Sequence, residues 1–110
     1  MAHRDLDVLD AAHRASDSIS RLISRYPRLM HVSQLRSAAQ SIIANISEGF
    51  GRGPGRERAR SLRIARGEAE EAIQHLLTNR RQNVITARDY WPSRNLFVVV
   101  VKMLNSLLRY

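Results

Sequence analysis

A row of arginines contains the side chains of this sequence that are best suited to chemistry, and that chemistry is phosphate binding. Arginine presents a planar fork of N–H donors that matches phosphate oxygens. The members of the row are Arg52, Arg56, Arg60, Arg63 and Arg66. Glu57 is the one acid in this stretch before Glu68. The row predicts a surface that binds RNA or DNA; the alternative is a solvated basic face, partly paired with Glu57 and Glu70.

The overall charge supports a polyanionic partner. The formal net charge is +8 and the pI is near 11.4, and such a field attracts nucleic acid. Nearly all the basic residues are arginine, which genomic base composition can also explain. No helix-turn-helix, zinc-finger or RNA-recognition signature is present, and Phe50, Trp91 and Phe97 are expected as core or interface anchors. Binding should therefore depend on the nucleic-acid backbone and weaken with salt.

A polar stripe on the predicted second helix is the other candidate group. It contains Asn45 and Glu48, with Arg36 on the same helix and Arg52 one turn beyond Glu48. These side chains could bind a ligand. Hydrogen bonds that fix helix register, or a subunit contact, explain them more simply. A carboxylate of this helix could also form a buried ion pair with Arg36 or Arg66.

Constellations typical of enzymes and metal sites do not occur in the sequence. Cysteine is absent, which excludes disulfides, thiolate zinc sites and cysteine nucleophiles. The histidines are scattered, and Glu71 with His75 has i,i+4 spacing, unlike the Glu-x-x-His of di-iron bundles. We therefore expect no enzymatic activity, metal, cofactor or small-molecule substrate.

Amphipathic helices must position these side chains. Apolar residues recur at steps of three and four along most of the chain, which is typical of helices with one buried face. The predicted helices cover residues 6–26, 33–50, 56–81 and 87–109. A chain of 110 residues is long enough for one apolar core and too short for two. We predict a single all-α domain over residues 1–110, an antiparallel up-down-up-down four-helix bundle.

Individual residues refine these helices. Pro27 should end the first helix, and Ser33 and Thr86 are the predicted N-caps of the second and fourth. Pro92 predicts that the fourth helix either has a separate first turn or begins properly only near that proline. Gly67 and the alanines around it predict a close helix neighbour in the middle of the third helix.

The fourth helix is apolar over more of its circumference than one core can use. Val98, Val99 and Val101 project away from the centre of its predicted buried stripe. Surplus apolar surface of this kind predicts a homo-oligomer, unless the N-terminal residues cover the valines. The sequence has no apolar run of membrane-spanning length and no apolar segment near its start. These features predict a cytoplasmic location without membrane association.

Two stretches resemble a known family. Residues 33–39 (SQLRSAA) and 41–52 (SIIANISEGFGR) are similar to the four-helix-bundle family encoded by intervening sequences of bacterial 23S rRNA genes. The order Asn-Ile-x-Glu-Gly-x-Gly-Arg at residues 45–52 is the most specific part, and the resemblance covers about residues 6–77. Ile43 departs from the pattern, because the family usually has proline there.

The resemblance implies a bundle that assembles into a ring-like homo-oligomer, with a pentamer as the expected form and no established catalytic activity. A related accessory protein of diversity-generating retroelements is basic, has a similar bundle, and works with a reverse transcriptase and nucleic acid. By this analogy the chain is a module that binds RNA or DNA, or else a structural or protein-interaction scaffold.

Overall fold

The structure is a computed structural model that describes residues 3–109 and the side chains of residues 5–109. Helices make up most of these residues. The helices are α1 (His3–Arg25), α2 (Val32–Gly51), α3 (Arg56–Arg81) and α4 (Ala87–Leu108). Residues 3–109 contain no strand, so the predicted all-α, four-helix fold is confirmed. None of these helices combines the length and apolarity that crossing a membrane requires.

Each helix packs against two others around a shared core: α2 and α4 both contact α1 and α3. In α2, the apolar residues that recur at steps of three and four form a stripe that is buried along its whole length: Leu35, Ala38, Ala39, Ile42 and Ile46. In α3, the buried stripe consists largely of alanine, with Ala65, Ala69 and Ala72 fully inaccessible to solvent. Small side chains on α3 therefore let its neighbours pack close to its backbone.

Contacts between α1 and α4 join late residues of one helix to early residues of the other. The hydroxyl oxygens of Ser18 and Ser93 lie 2.8 Å apart in the interior. Directly after the end of α1, the Tyr26 hydroxyl donates a hydrogen bond to Asp89, which lies nearer the start of α4.

The two ends of the molecule carry different connections. The connections at residues 26–31 and 82–86 meet at one end, where the hydroxyls of Tyr26 and Thr86 lie 3.3 Å apart. We call this the double-loop end. The connection at residues 52–55 follows the 20 residues of α2, about 30 Å along that helix from its start, and we call its surroundings the single-loop end.

The start of α2 differs from the prediction. The helix begins at Val32, so Ser33 is not its N-cap. The N-cap is His31, whose backbone has a left-handed φ of 61° and whose side chain makes no capping hydrogen bond. Histidine tolerates this conformation better than β-branched residues do, and its ring contacts α3 instead.

The start of α4 confirms one expectation and corrects another. Thr86 is the N-cap, and its hydroxyl accepts a hydrogen bond from the Asp89 N–H at 3.2 Å. Pro92 lies inside the continuous helix, so neither a separate first turn nor a late start was correct. The proline is tolerated because it is exposed and close to the start, where it removes only the bond to the Arg88 carbonyl.

Close helix packing occurs at Gly49 of α2, not at Gly67 of α3. A Cβ added at Gly67 would meet nothing within 4 Å. A Cβ at Gly49 would lie 3.2 Å from the Ser61 Cβ and 3.3 Å from a Leu62 methyl group. The prediction for Gly67 was wrong because that residue lies on the exposed side of α3.

Candidate nucleic-acid interface

Three members of the arginine row form an exposed line on α3. Arg56, Arg60 and Arg63 are spaced i, i+4, i+7, which places them on one helical face about 10 Å long. None of them has a hydrogen-bond or ion-pair partner within residues 5–109. Their guanidinium groups are therefore available to bind an anion.

Arg52 belongs to the same region but is partly neutralised. Its Nη2 donates to Glu48 Oε1 at 2.6 Å, and its Nη1 lies 3.8 Å from Glu57 Oε2. The hydrogen bond to Glu48, together with the charge of that carboxylate, raises the pKa of Arg52 above its usual value. Because these groups are exposed, the pairing is weak and a phosphate can compete for the arginine.

Arg66, at the other end of the row, is directed toward α4. Its Nη1 donates to Asn105 Oδ1 at 2.9 Å, and its Nε lies 3.9 Å from Glu70 Oε1. The half-buried Arg66 side chain therefore contributes to helix packing more than the exposed arginines do.

Glu68 follows the row on α3 and is half-buried. Burial raises the pKa of this carboxyl, and the neighbouring charge of Glu71 raises it further. The protonated form of Glu68 is thus favoured in the folded protein.

Arg58 lies off the row and stabilises the end of α2. Its Nε and Nη2 donate to the carbonyls of Gly49 and Phe50 at 3.3 and 3.1 Å. Its guanidinium carbon lies 5.2 Å from the centre of the Phe50 ring. A cation here adds donors to helix carbonyls that otherwise accept only long backbone hydrogen bonds of 3.4 Å, from the Arg52 and Gly53 N–H groups. One feature of the sequence indicates this role: helical spacing places Arg58 on a different face from Arg56 and Arg60.

The polar stripe of α2 stays on the surface. Asn45 Nδ2 donates to the carbonyl and the hydroxyl of Ser41, within the same helix, at 2.9 and 3.1 Å. Glu48 and Arg36 are both exposed. The buried ion pair expected with Arg36 or Arg66 does not form among the described residues, so that interpretation was wrong.

A buried asparagine that sequence reasoning missed holds the α1–α2 connection. Asn79 is 0% exposed. Its Oδ1 accepts the Met30 N–H at 2.7 Å, and its Nδ2 donates to the carbonyls of Met30 and His75 at 3.0 and 2.9 Å. The available signal was position, since Asn79 continues the apolar stripe of Ala72 and Leu76.

Two of the histidines are not scattered. The Nδ1 atoms of His31 and His75 lie 2.8 Å apart, and His75 Nε2 lies 3.4 Å from Glu71 Oε1. Within the described residues, no group of three or more His, Asp or Glu side chains is arranged to hold a metal ion.

The predicted oligomer interface is only partly exposed. Val99 is 41% exposed, Val98 is half-buried, and Val101 packs against the core. The side chains of residues 1–4, which were the alternative cover for these valines, lie outside the described residues.

The three predicted aromatic anchors separate into two groups. Phe50 and Phe97 are buried in the core, as predicted. Trp91 is 52% exposed and is therefore not a core residue.

The fold is similar to that of a solved structure. A protein of unknown function from the S23 ribosomal protein family of Bacteroides thetaiotaomicron superposes with a TM-score of 0.88, over 97% of this chain and 99% of that chain. The two sequences are 24% identical, so this likeness shows the fold alone. No curated protein matches the chain.

The family model for the 23S rRNA-intervening sequence protein matches residues 4–106. This match spans both stretches on which the resemblance was based. The chain therefore belongs to the 23S rRNA-intervening sequence protein family.

Proposed function

We propose that this protein is a non-enzymatic, homo-oligomeric bundle that binds the phosphate backbone of RNA or DNA through Arg56, Arg60 and Arg63. The observation that carries the proposal is the exposure of these three side chains on one face without a partner among residues 5–109. Arginine forks bind phosphate oxygens at two points each. A line of three matches a polymer with regularly repeated anions better than it matches a single small ligand.

The start of α3 adds to the attraction for phosphate. Its N-cap, Gly55, has no side chain with which to cap the helix. The first N–H groups of α3 therefore remain available to an anion. Glu57 opposes this effect, although Arg52 lies near its carboxylate. Arg52 and Arg66 have supporting roles in the proposal, because both already contact other side chains.

Assembly of several copies would strengthen nucleic-acid binding, because the arginine row of a single copy binds only weakly. The order of contacts between α1 and α4 supports an up-down-up-down arrangement, and the exposed Val99 supports a contact with another copy. A ring-like homo-oligomer, with a pentamer as the expected form, would present several arginine rows to one polymer. We place this assembly in the cytoplasm, where nucleic acid is accessible to it.

The test compares two triple variants with equal loss of charge. Arg56→Gln/Arg60→Gln/Arg63→Gln removes the row, whereas Arg14→Gln/Arg36→Gln/Arg109→Gln removes three exposed arginines elsewhere. Binding of a fluorescent structured RNA and a matching duplex DNA is titrated at several salt concentrations. In the row variant, the slope of log affinity against log salt concentration should be less steep by about three. In the control variant, this slope should change little.

Equal losses for the two triple variants would contradict the assignment, because general charge would then explain binding. Light scattering on the same samples tests the assembly, and a monomer at micromolar concentration would contradict it.

The alternative function is a structural or protein-interaction scaffold. The exposed apolar side chain of Val99 favours it, since α4 could recruit another protein without any nucleic acid. On that hypothesis, Val98→Asp/Val99→Asp abolishes assembly, and neither arginine triple has an effect of its own.

A further inference from the structure

The double-loop end carries a second cationic surface, separate from the arginine row. Segments 18–34 and 76–95, which meet at this end, contain seven arginines and one acid, Asp89. That acid is already engaged: its Oδ2 lies 3.1 Å from Arg25 Nε and also accepts the Tyr26 hydroxyl. The charge of the remaining arginines is therefore largely uncompensated within these segments.

An exposed tryptophan lies within this cationic surface. Trp91 is the single tryptophan of the chain, and its side chain is 52% exposed. The Arg94 guanidinium carbon lies 5.5 Å from the indole centre, and the Tyr90 ring packs edge-on with its centre 5.0 Å away. These neighbours restrict the orientation of the indole while leaving about half of it in contact with solvent.

Another exposed arginine lies on the same face of α4 as the indole, and two arginines of α1 line a neighbouring cleft. Arg88 precedes Trp91 by one turn, is exposed, and has no partner within residues 5–109. Arg21 and Arg25 of α1 line a cleft of about 180 Å³, whose α4 wall includes Pro92, the neighbour of Trp91. The tryptophan patch comprises Arg88, Trp91 and Arg94.

We propose that the tryptophan patch binds single-stranded nucleic acid, with an unpaired base stacked on Trp91 and the flanking phosphates bound by Arg88 and Arg94. An aromatic platform surrounded by cations is the arrangement that binds single strands, because every base has a face that can stack. A duplex offers no such face along its length. An acidic protein would satisfy the arginines but would leave the indole without a stacking partner.

This proposal does not rest on the proposed function, because the two surfaces lie at different places and select different features. The arginine row recognises phosphates, paired or unpaired. The tryptophan patch recognises bases that are free to stack.

The fluorescence of Trp91 provides a direct readout, since the chain has no other tryptophan. The full chain is titrated with an oligothymidylate of about twelve nucleotides, with a duplex of equal length, and with an abasic oligonucleotide of equal charge. The oligothymidylate should quench the emission strongly, and the other two should not. By anisotropy of a labelled oligothymidylate, Trp91→Ala should weaken binding about tenfold, and Trp91→Phe should retain most of the affinity.

Leu6→Ala is the matched control, because it shortens another exposed apolar side chain, on α1 about 18 Å along the helix from Ser18, the α1 residue that contacts Ser93. It should leave oligothymidylate binding unchanged. The row variant Arg56→Gln/Arg60→Gln/Arg63→Gln should retain the quenching, and Trp91→Ala should retain duplex binding. Failure of one proposal is thereby distinguished from failure of the other.

Four results would overturn the inference. They are equal quenching by the abasic oligonucleotide, unchanged affinity in Trp91→Ala, tighter binding of polyglutamate than of oligothymidylate, and an indole that another copy of the chain shields from every ligand. The third result would indicate a protein partner, and the fourth an oligomer contact.

Discussion

The two ends of the bundle hold their connections in different ways. At the double-loop end, neither connection contains glycine, and the buried amide of Asn79 binds the backbone of Met30, 49 residues earlier. At the single-loop end, Gly53 and Gly55 adopt positive φ angles of 76° and 133°. One end thus depends on contacts between distant parts of the chain, and the other on residues that permit a local turn.

The ends also differ in how they use arginine. At the single-loop end, Arg58 is committed to helix carbonyls and Arg52 to carboxylates, while the exposed row begins at Arg56. At the double-loop end, Asp89 is the only acid in the two segments that meet there. At each end, the residues that stabilise the connections therefore differ from the arginines that carry exposed charge. A substitution at one end can be made without changing the contacts of the other.

The largest effect is expected at the double-loop end, from Asn79→Leu. This change leaves the Met30 N–H and carbonyl without their partner and should reduce the free energy of unfolding by about 2–4 kcal/mol. Urea denaturation followed by circular dichroism measures the loss. Gln82→Ala, at an exposed position in the same end with an ordinary φ of −83°, is the control. Similar stability of the two variants would show that this end does not depend on the buried amide.

Arg58→Met is the corresponding change at the single-loop end. It preserves much of the apolar side chain over Phe50 but removes both hydrogen bonds to the α2 carbonyls. We expect a loss of about 1–2 kcal/mol in the free energy of unfolding. Arg56→Met, which alters an exposed arginine without a described partner, should have almost no effect. Equal losses of stability in Arg58→Met and Arg56→Met would show that the hydrogen bonds of Arg58 do not stabilise the fold.

A pair of glycine substitutions should change stability in opposite directions. Gly49→Ala adds a Cβ against Ser61, whose position α3 fixes, and should lower stability by about 1 kcal/mol after the gain in helix propensity. Gly67→Ala meets open space and should raise stability by about 0.5–1 kcal/mol. Thermal denaturation of both variants measures the difference. A stabilised Gly49→Ala would mean that α2 and α3 can separate slightly at the single-loop end.

The smallest effect is expected between the ends, at Glu68. Its raised pKa means that the fold favours the protonated carboxyl. This contribution is fully present below the ordinary value of 4.5 and is lost as the pH rises through the raised value. Glu68→Gln should therefore make stability fall less steeply over that interval, with Glu70→Gln as the control. Denaturation midpoints measured across the interval test this, and identical pH profiles for wild type and Glu68→Gln would contradict it.

Periodicity was sufficient to predict most of the apolar residues that the helices bury. The α2 stripe, the exposed row from Arg56 to Arg63, and the cap at Thr86 all follow from local spacing and local chemistry. Periodicity could not predict Asn79 with Met30 or His31 with His75, because these contacts join residues 49 and 44 positions apart. Of the two roles predicted for Trp91, the core role was wrong, because its spacing from Phe97 places it on another face of α4.

The contact between Ser18 and Ser93 has a consequence for the folding pathway. Other neighbouring helices follow one another directly in the chain, whereas this pair spans 75 residues. Closing so long a loop requires more conformational entropy to be lost before any contact forms. We therefore expect α1 and α4 to meet late, after the adjacent helix pairs have formed. Changes at this seam should accelerate unfolding and leave the refolding rate nearly constant.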